Sequence, residues 1–429
     1  MRRGFLVAAP HSGSGKTVLT LGLMRALANA GEKVSPFKAG PDFIDPAFHA
    51  HAARADCFNL DPWGMRPDFI HSLAGGDGLT IVEGMMGLFD GAADGSGSCA
   101  DLAALMDLPV VLVVDCSRQS HSIAALVRGF RDHRPDVRIA ALILNRVSTE
   151  RHERLLREAL VPMGIAVAGV VPPLDVLKLP ERHLGLVQAV EHAALEAFVA
   201  TAATVARDRI DLDLLAELGG RAALKANAVS GLPPLGQRVA VAKDTAFAFA
   251  YSHVLKGWRD MGAQVSVFSP LNDEAPQVDA DFVYLPGGYP ELHAARLAAN
   301  AVFRAGMIAA RDRGAAIYGE CGGFMVLGES LTDADGKAHA MLGLVPVETS
   351  FATRTRHLGY RKLTGRAGTL LPGRFRAHEF HYSMLARQGA GMPLFDAVDA
   401  AGADLGAHGL QVGNVGGSYM HLIDLDGRQ

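Results

Sequence analysis

Residues 10–17 read PHSGSGKT, directly after the apolar run GFLVAA and directly before VLTLGLMRALANAG. Gly15, Lys16 and Thr17 fit the end of a phosphate-binding loop, in which a glycine and four free residues precede Gly-Lys-Ser/Thr. The leading position, however, is Pro10. Placed between a buried strand and a helix, the backbone N–H groups of Ser12, Gly13, Ser14 and Gly15 and the positive helix end make a concave anion site. Lys16 would meet the terminal phosphates of a nucleotide, and Thr17 would ligate Mg2+. The alternative is a tight strand-to-helix turn, and the run GSGKT before a long amphipathic helix favours the nucleotide.

A magnesium nucleotide needs carboxylates. Glu83 ends the run LTIVEG, where the carboxyl edge of a parallel strand points into a ligand crevice. Asp90 follows in GMMGLFDG, as a catalytic residue or as a turn aspartate before Gly91. In KAGPDFIDPAFH, Asp45 precedes Pro46 and reads equally as a catalytic carboxylate or a helix N-cap, while Asp42 reads as a metal ligand or a turn residue.

The second half offers different chemistry. AAIYGECGGFMVLG sets Cys321 between an apolar strand and a helix, flanked by Gly319, Gly322 and Gly323. Small neighbours permit the sharp turn that exposes a nucleophile, and a helix N-terminus favours the thiolate. The N–H groups around Gly287 and Gly288 in YLPGGYPE are placed to receive an oxyanion. His421 in GGSYMHLI supplies the base a thiol needs, with His378 and His381 of RAHEFHYS as competitors.

The elements that must position these residues follow from the pattern. Short β-branched runs (GFLVAA, LTIVEG, PVVLVVDC, VRIAALILN, IAVAGVV) alternate with helical stretches, which means a parallel sheet covered on both faces. A helical stretch and a Gly/Pro-punctuated linker follow, and the alternation restarts at QRVAVAKD as a second open α/β sheet. The fold class is therefore α/β throughout, with domains expected at 1–190 and 236–429, joined by a helical segment and linker over 191–235. A chain of 429 residues, 49% apolar and 20% charged, has material for two or three cores. The net charge of -4 gives no general attraction for nucleic acid or an anionic membrane. No apolar run reaches the length of a membrane span, and four scattered cysteines without a Cys-x-x-Cys pair fit the reducing cytoplasm.

The motifs PGGYPE, GECGGFM and SYMH resemble the class I glutamine amidotransferase domain, in its cobyric and cobyrinic acid synthase branch. Together with SGSGKT, KAGPDFIDPAFH, NLDPW, EGMMGLFDG and HEFHYS, they make nearly the whole chain similar to the cobyrinic and hydrogenobyrinic acid a,c-diamide synthases. The resemblance implies an N-terminal half like dethiobiotin synthetase that activates carboxylates with ATP and Mg2+ as acyl phosphates. Cys321 would then release ammonia from L-glutamine, with Gly287 and Gly288 holding the oxyanion and His421 moving protons. The substrate implied is a corrin amidated at its a and c side chains, hydrogenobyrinic acid before cobyrinic acid. Cobyric acid synthase-like and nickel-sirohydrochlorin a,c-diamide synthase activities are the near alternatives. A ParA-like partition ATPase is the distant one, and would need a second lysine where His11 or Ser12 stands. The Glu expected two residues after the histidine is replaced by Ile423, with Asp424 out of pattern, so a Cys–His dyad is implied. A cytoplasmic enzyme is implied, with small-molecule partners, no nucleic acid and no membrane; a homodimer is compatible with it.

Overall fold

The computed structural model describes residues 3–174, 181–182, 185–186, 188–191, 194–218 and 228–427. The chain divides into two compact units, the first comprising Met1–Trp63 and Pro67–Val229, the second Gly64–Arg66 and Ser230–Gln429. The helices Leu195–Arg209 and Leu212–Glu217 belong to the first unit and do not form a separate connecting segment.

In the first unit the strands are β1 (Gly4–Ala8), β2 (Val34–Ala39), β3 (Phe58–Leu60), β4 (Leu79–Glu83), β5 (Val110–Asp115), β6 (Ile139–Asn145) and β7 (Ala166–Val171). They form one parallel sheet in the order β3-β2-β4-β1-β5-β6-β7. Phe5, Leu6, Val7 and Val110 to Val114 are wholly buried, as a sheet covered on both faces requires. Helix α1 (Lys16–Asn29) follows β1, and α2 (Asp45–Ala53) follows β2. Val7 of β1 pairs with Glu83 of β4, so the loop before α1 and the end of β4 meet at one carboxyl edge. Apolar residues Leu19, Leu21, Leu23, Met24 and Leu27 are buried around most of the α1 circumference, because α1 is sandwiched. One neighbour is the helix Leu195–Arg209: a Cβ on Gly22 would lie 2.5 Å from the Ala202 carbonyl oxygen, so only glycine admits that approach.

The second unit holds a six-stranded sheet in the order Gln264–Phe268, Arg238–Ala242, Phe282–Leu285, Ala316–Glu320, Val415–Ser418, Leu410–Val412. Its first five strands are parallel and the last is antiparallel. The remainder departs from the expected open α/β sheet. Five segments between residues 357 and 425 build an antiparallel sheet in the order Asp404–His408, Phe395–Asp399, His357–Gly365, Gly373–His381, Met420–Leu425. The chain passes from Val415–Ser418 in the first sheet to Met420–Leu425 in the second across the single residue Tyr419. That crossing brings the end of one sheet beside the start of the other. Among the described residues, no helix is long and apolar enough to cross a membrane.

Candidate active sites

The loop 10–17 closes on itself around Ser14, whose hydroxyl donates to the His11 carbonyl (2.9 Å), with Gly13 and Gly15 at φ 80° and 91°. Asn145, at the end of β6, donates from Nδ2 to the Ser14 carbonyl (2.8 Å) and so ties the loop to the sheet. Lys16 is buried at the start of α1, and its Nζ donates to the Met86 carbonyl (2.7 Å). Burial lowers its pKa, with Lys38 adding to the effect and Glu83 opposing it.

Glu83 stands at the centre of a buried charge network. Its Oε1 accepts from the Thr17 hydroxyl (2.6 Å) and from Lys38 Nζ (3.1 Å), and its Oε2 pairs with His49 Nε2. Lys38, the sheet partner of Glu83 on β2, also binds Asp45 Oδ2 (2.5 Å). Burial alone would raise the Glu83 carboxyl, but Lys38, His49 and Thr17 outweigh it and hold the group well below the ordinary carboxylate range. Burial and the neighbouring Asp42 push Asp45 up to about 6, against the pull of Lys38. Lys38 itself is held well above its ordinary value, because Asp45 and Glu83 overcome the cost of its burial.

The capping alternative resolves onto a different aspartate. Asp42 Oδ1 accepts the N–H groups of Ile44 (2.7 Å) and Asp45 (2.9 Å), so Asp42 supports the start of α2 while the Asp45 carboxylate is committed to Lys38. Asp90 is exposed and its Oδ2 accepts the Gly87 N–H (2.8 Å), which folds the loop after β4 back on itself. The Thr17 hydroxyl and the Glu83 carboxylate, in contact beside Lys16, are a pair of hard oxygen donors that fits Mg2+. This ion takes few protein ligands and completes its shell from phosphates and water. Lys38, His49 and Asn145 were not singled out from the sequence. A lysine in the otherwise apolar strand VSPFKA was the available signal, since a buried charge must have partners.

In the second unit Cys321 sits between the strand Ala316–Glu320 and the helix Gly322–Leu327, at φ 46° and ψ -105°. This backbone conformation is rare for a residue with a side chain and marks a sharp strand-to-helix turn. The Cys321 N–H donates to the Ser418 carbonyl (2.8 Å), and Glu320 pairs with Ser418 in the sheet. His421 follows three residues later, beyond the crossing at Tyr419. A Cβ on Gly287 would lie 2.4 Å from His421 Cε1, 3.1 Å from its Nε2 and 3.3 Å from Cys321 Cβ. Gly287 therefore faces both side chains, and any larger residue there would push into them. Gly288 is packed so that a Cβ would lie 2.1 Å from the Ala246 carbonyl oxygen.

This pocket is dry. Burial raises the Cys321 thiol well above its ordinary value, with Glu291 and Glu379 adding to it, so the resting group is a thiol and not the thiolate expected at a helix start. Burial, then His378 and His381, push His421 down to about 3. His378 lies across the sheet from His421 and is itself pushed down to about 4 by burial. His381 stacks on Tyr419 and binds Glu379 Oε1 (3.1 Å), while Arg361 Nη2 takes Glu379 Oε2 (2.7 Å). Asp424 is turned away to Arg66, which grips its Oδ1 and Oδ2 at 2.9 Å each.

Residues 5–187 match the model of the CobQ/CobB/MinD/ParA nucleotide binding domain, and residues 238–428 that of the CobB/CobQ-like glutamine amidotransferase domain. The chain is 57% identical to a hydrogenobyrinate a,c-diamide synthase from Brucella anthropi, over the full length of both. It is 57% identical to one from Rhizobium meliloti, covering 98% of this chain and 99% of the relative. It is 48% identical to one from Rhodobacter capsulatus, covering 98% of each. Similarity of this extent spans both units and both pockets, and the chain belongs to the hydrogenobyrinate a,c-diamide synthase family.

Proposed function

We propose that this protein is an ATP- and glutamine-dependent amide ligase that converts the a and c side-chain carboxylates of hydrogenobyrinic acid to amides in the cytoplasm. The reading rests above all on full-length identity to synthases of that name, joined to two pockets whose chemistry is complementary. In the first unit, Ser12 to Thr17 wrap the ATP phosphates and Lys16 exchanges the Met86 carbonyl for a terminal phosphate oxygen. Thr17 and Glu83, with Asp42, would hold Mg2+, which would supply charge neutralisation at the phosphates. A substrate carboxylate oxygen attacks the γ-phosphorus and ADP leaves. Lys38 and Asp45, fixed to each other, orient the acyl phosphate, with Asp90 as a further catalytic carboxylate in the loop after β4. Ammonia attacks the acyl carbon and inorganic phosphate departs.

In the second unit, His421 takes the Cys321 proton as sulfur attacks the side-chain amide of glutamine. The oxyanion is received by the N–H groups around Gly287 and Gly288. The imidazolium then protonates the departing nitrogen, and water cleaves the thioester to glutamate. Two rounds yield the diamide.

The test is mass spectrometry of the products formed by the purified protein from ATP, glutamine and either hydrogenobyrinic or cobyrinic acid. A doubly amidated hydrogenobyrinic acid, formed faster than the cobalt-containing product, is expected. Amidation at other side chains, or no amide from either acid, overturns the reading.

A further inference from the structure

The second unit lacks a carboxylate two residues beyond His421, yet it contains one that no part of the scheme above employs. Glu320 Oε2 lies 3.7 Å from His421 Nδ1. The ring atoms Cε1 and Nε2 are those nearest Gly287, which also neighbours the Cys321 side chain. We infer that Glu320, the residue immediately before the nucleophile, is the positioning residue of the glutaminase, holding His421 with its proton on Nδ1 and its lone pair on Nε2. The inference rests on the assignment of Cys321 and His421 as the reacting pair.

The carboxyl group is itself held. The Tyr284 hydroxyl donates to its Oε2 (2.6 Å) and the Leu422 N–H donates to its Oε1 (3.1 Å). Leu422 is the residue after His421, so carboxyl and imidazole are registered on one stretch of backbone. Glu320 is 3% exposed, and its far side borders an apolar cavity of ≈ 210 Å³ whose walls include Leu232, Trp258, Phe282, Leu370 and Phe375. A carboxylate kept from water interacts more strongly with a developing imidazolium than an exposed one.

The other charged groups nearby do not substitute for it. His378 and His381 face His421 and oppose its protonation, and Glu379 is committed to His381 and Arg361. Asp424 is committed to Arg66. Tyr284 and Tyr318 are the titratable groups that face Glu320, and both keep their protons because burial raises them. Burial pushes Glu320 up to about 8, so its ionised form grows in across the mildly alkaline range.

The discriminating variant is Glu320→Gln. It keeps the shape, but its amide N–H would donate to Nδ1 and favour the tautomer with hydrogen on Nε2, the wrong one for a base. Glutaminase kcat should fall about 10²-fold or more, with KM for glutamine nearly unchanged, and the rise of kcat towards pH 8 should disappear. Ammonia-dependent amidation reports that the rest of the protein is intact. A Gln variant with the parent's kcat and pH profile overturns the inference. Should that variant not fold, Tyr284→Phe decides. It leaves the carboxyl but releases one oxygen, and a kcat lowered severalfold at unchanged KM is expected; unchanged kcat and pH profile overturn the proposal. Cys321→Ser separates the two levels. If it retains glutaminase activity the underlying assignment fails, whereas if it is inactive while Glu320→Gln is normal, only the role of Glu320 fails.

Discussion

Lys38, Asp45, His49 and Glu83 are paired with one another in the first unit before any ligand arrives, whereas Cys321, His421 and Glu320 in the second are equally buried but all biased towards their neutral forms. On the proposed function, the difference follows from what each pocket must receive. ATP and an ionised side chain bring charge from the start, so a fixed set of opposite charges is needed in advance. The amide of glutamine is neutral, and charge appears only as sulfur attacks. A pocket that stays neutral until then pays no standing cost for isolated buried ions.

The sharpest way to break this comparison is to disable one pocket at a time. Lys16→Ala should abolish amidation with glutamine and with ammonia alike, and Cys321→Ser only the glutamine-dependent reaction, each by about 10³-fold or more. Ammonia-dependent synthesis that survived Lys16→Ala would return the loop 10–17 to a structural turn.

A smaller effect probes the standing charges. Lys38→Met leaves Asp45 and Glu83 buried with one cation fewer, at a cost of about 3 kcal/mol. The chain's two tryptophans are convenient reporters, because Trp63 is buried in the first unit and Trp258 in the second. Urea unfolding followed through Trp63, in a Trp258→Phe background, should shift to lower midpoint, while the Trp258 transition, followed in a Trp63→Phe background, should not move. An unmoved Trp63 transition would mean that the network contributes little to holding the unit together.

The smallest effect concerns pH. Glu320 has a folded pKa of about 8 against an ordinary value of 4.5, so between those values the folded form retains a proton that the unfolded form has lost. Stability from this group is therefore present at low pH and declines as pH rises through that window, by up to about 1.4 kcal/mol per unit. Glu83 has the opposite sign: held below its ordinary value, its contribution is complete above 4.5 and is lost only on strong acidification. Between pH 6.5 and 8 the Trp258 midpoint should fall more steeply in the parent than in Glu320→Gln, with Glu83 adding no slope to the Trp63 transition. Equal slopes in parent and variant would place the Glu320 titration outside this range.

How much of this was readable from residues alone varied with how local the feature is. The run 10–17 is contiguous, and its place between β1 and the opening of α1 by Lys16 and Thr17 was legible. Which aspartate supports α2 was not readable, because a shift of three residues separates Asp42 from Asp45 and only the turn geometry chooses between them. Lys38 carries no local signature of its role, since its partners arrive from β4 and α2. Cys321 and His421 were legible as chemical types, but their approach depends on a chain crossing at Tyr419 and on an antiparallel sheet. The strands of that sheet are interrupted by basic and glycine residues, which obscures alternation. The helix Leu195–Arg209 was legible as a helix, but an apolar face does not say what it packs against; Gly22 of α1 supplies the answer.

All four cysteines are buried and unpaired in disulfides, and burial raises the thiols of Cys57, Cys99, Cys116 and Cys321 alike. Peroxides and alkylating electrophiles react with thiolates, and with those they can reach. On the proposed roles, Cys321 combines a nucleophile's post with an oxidation-resistant resting state: sulfur would become reactive only when a molecule has entered beside Gly287 and His421 has accepted its proton. Such a protein should tolerate oxidant exposure that would inactivate an enzyme with a pre-formed thiolate, and should become vulnerable to glutamine-shaped electrophiles well before simple ones.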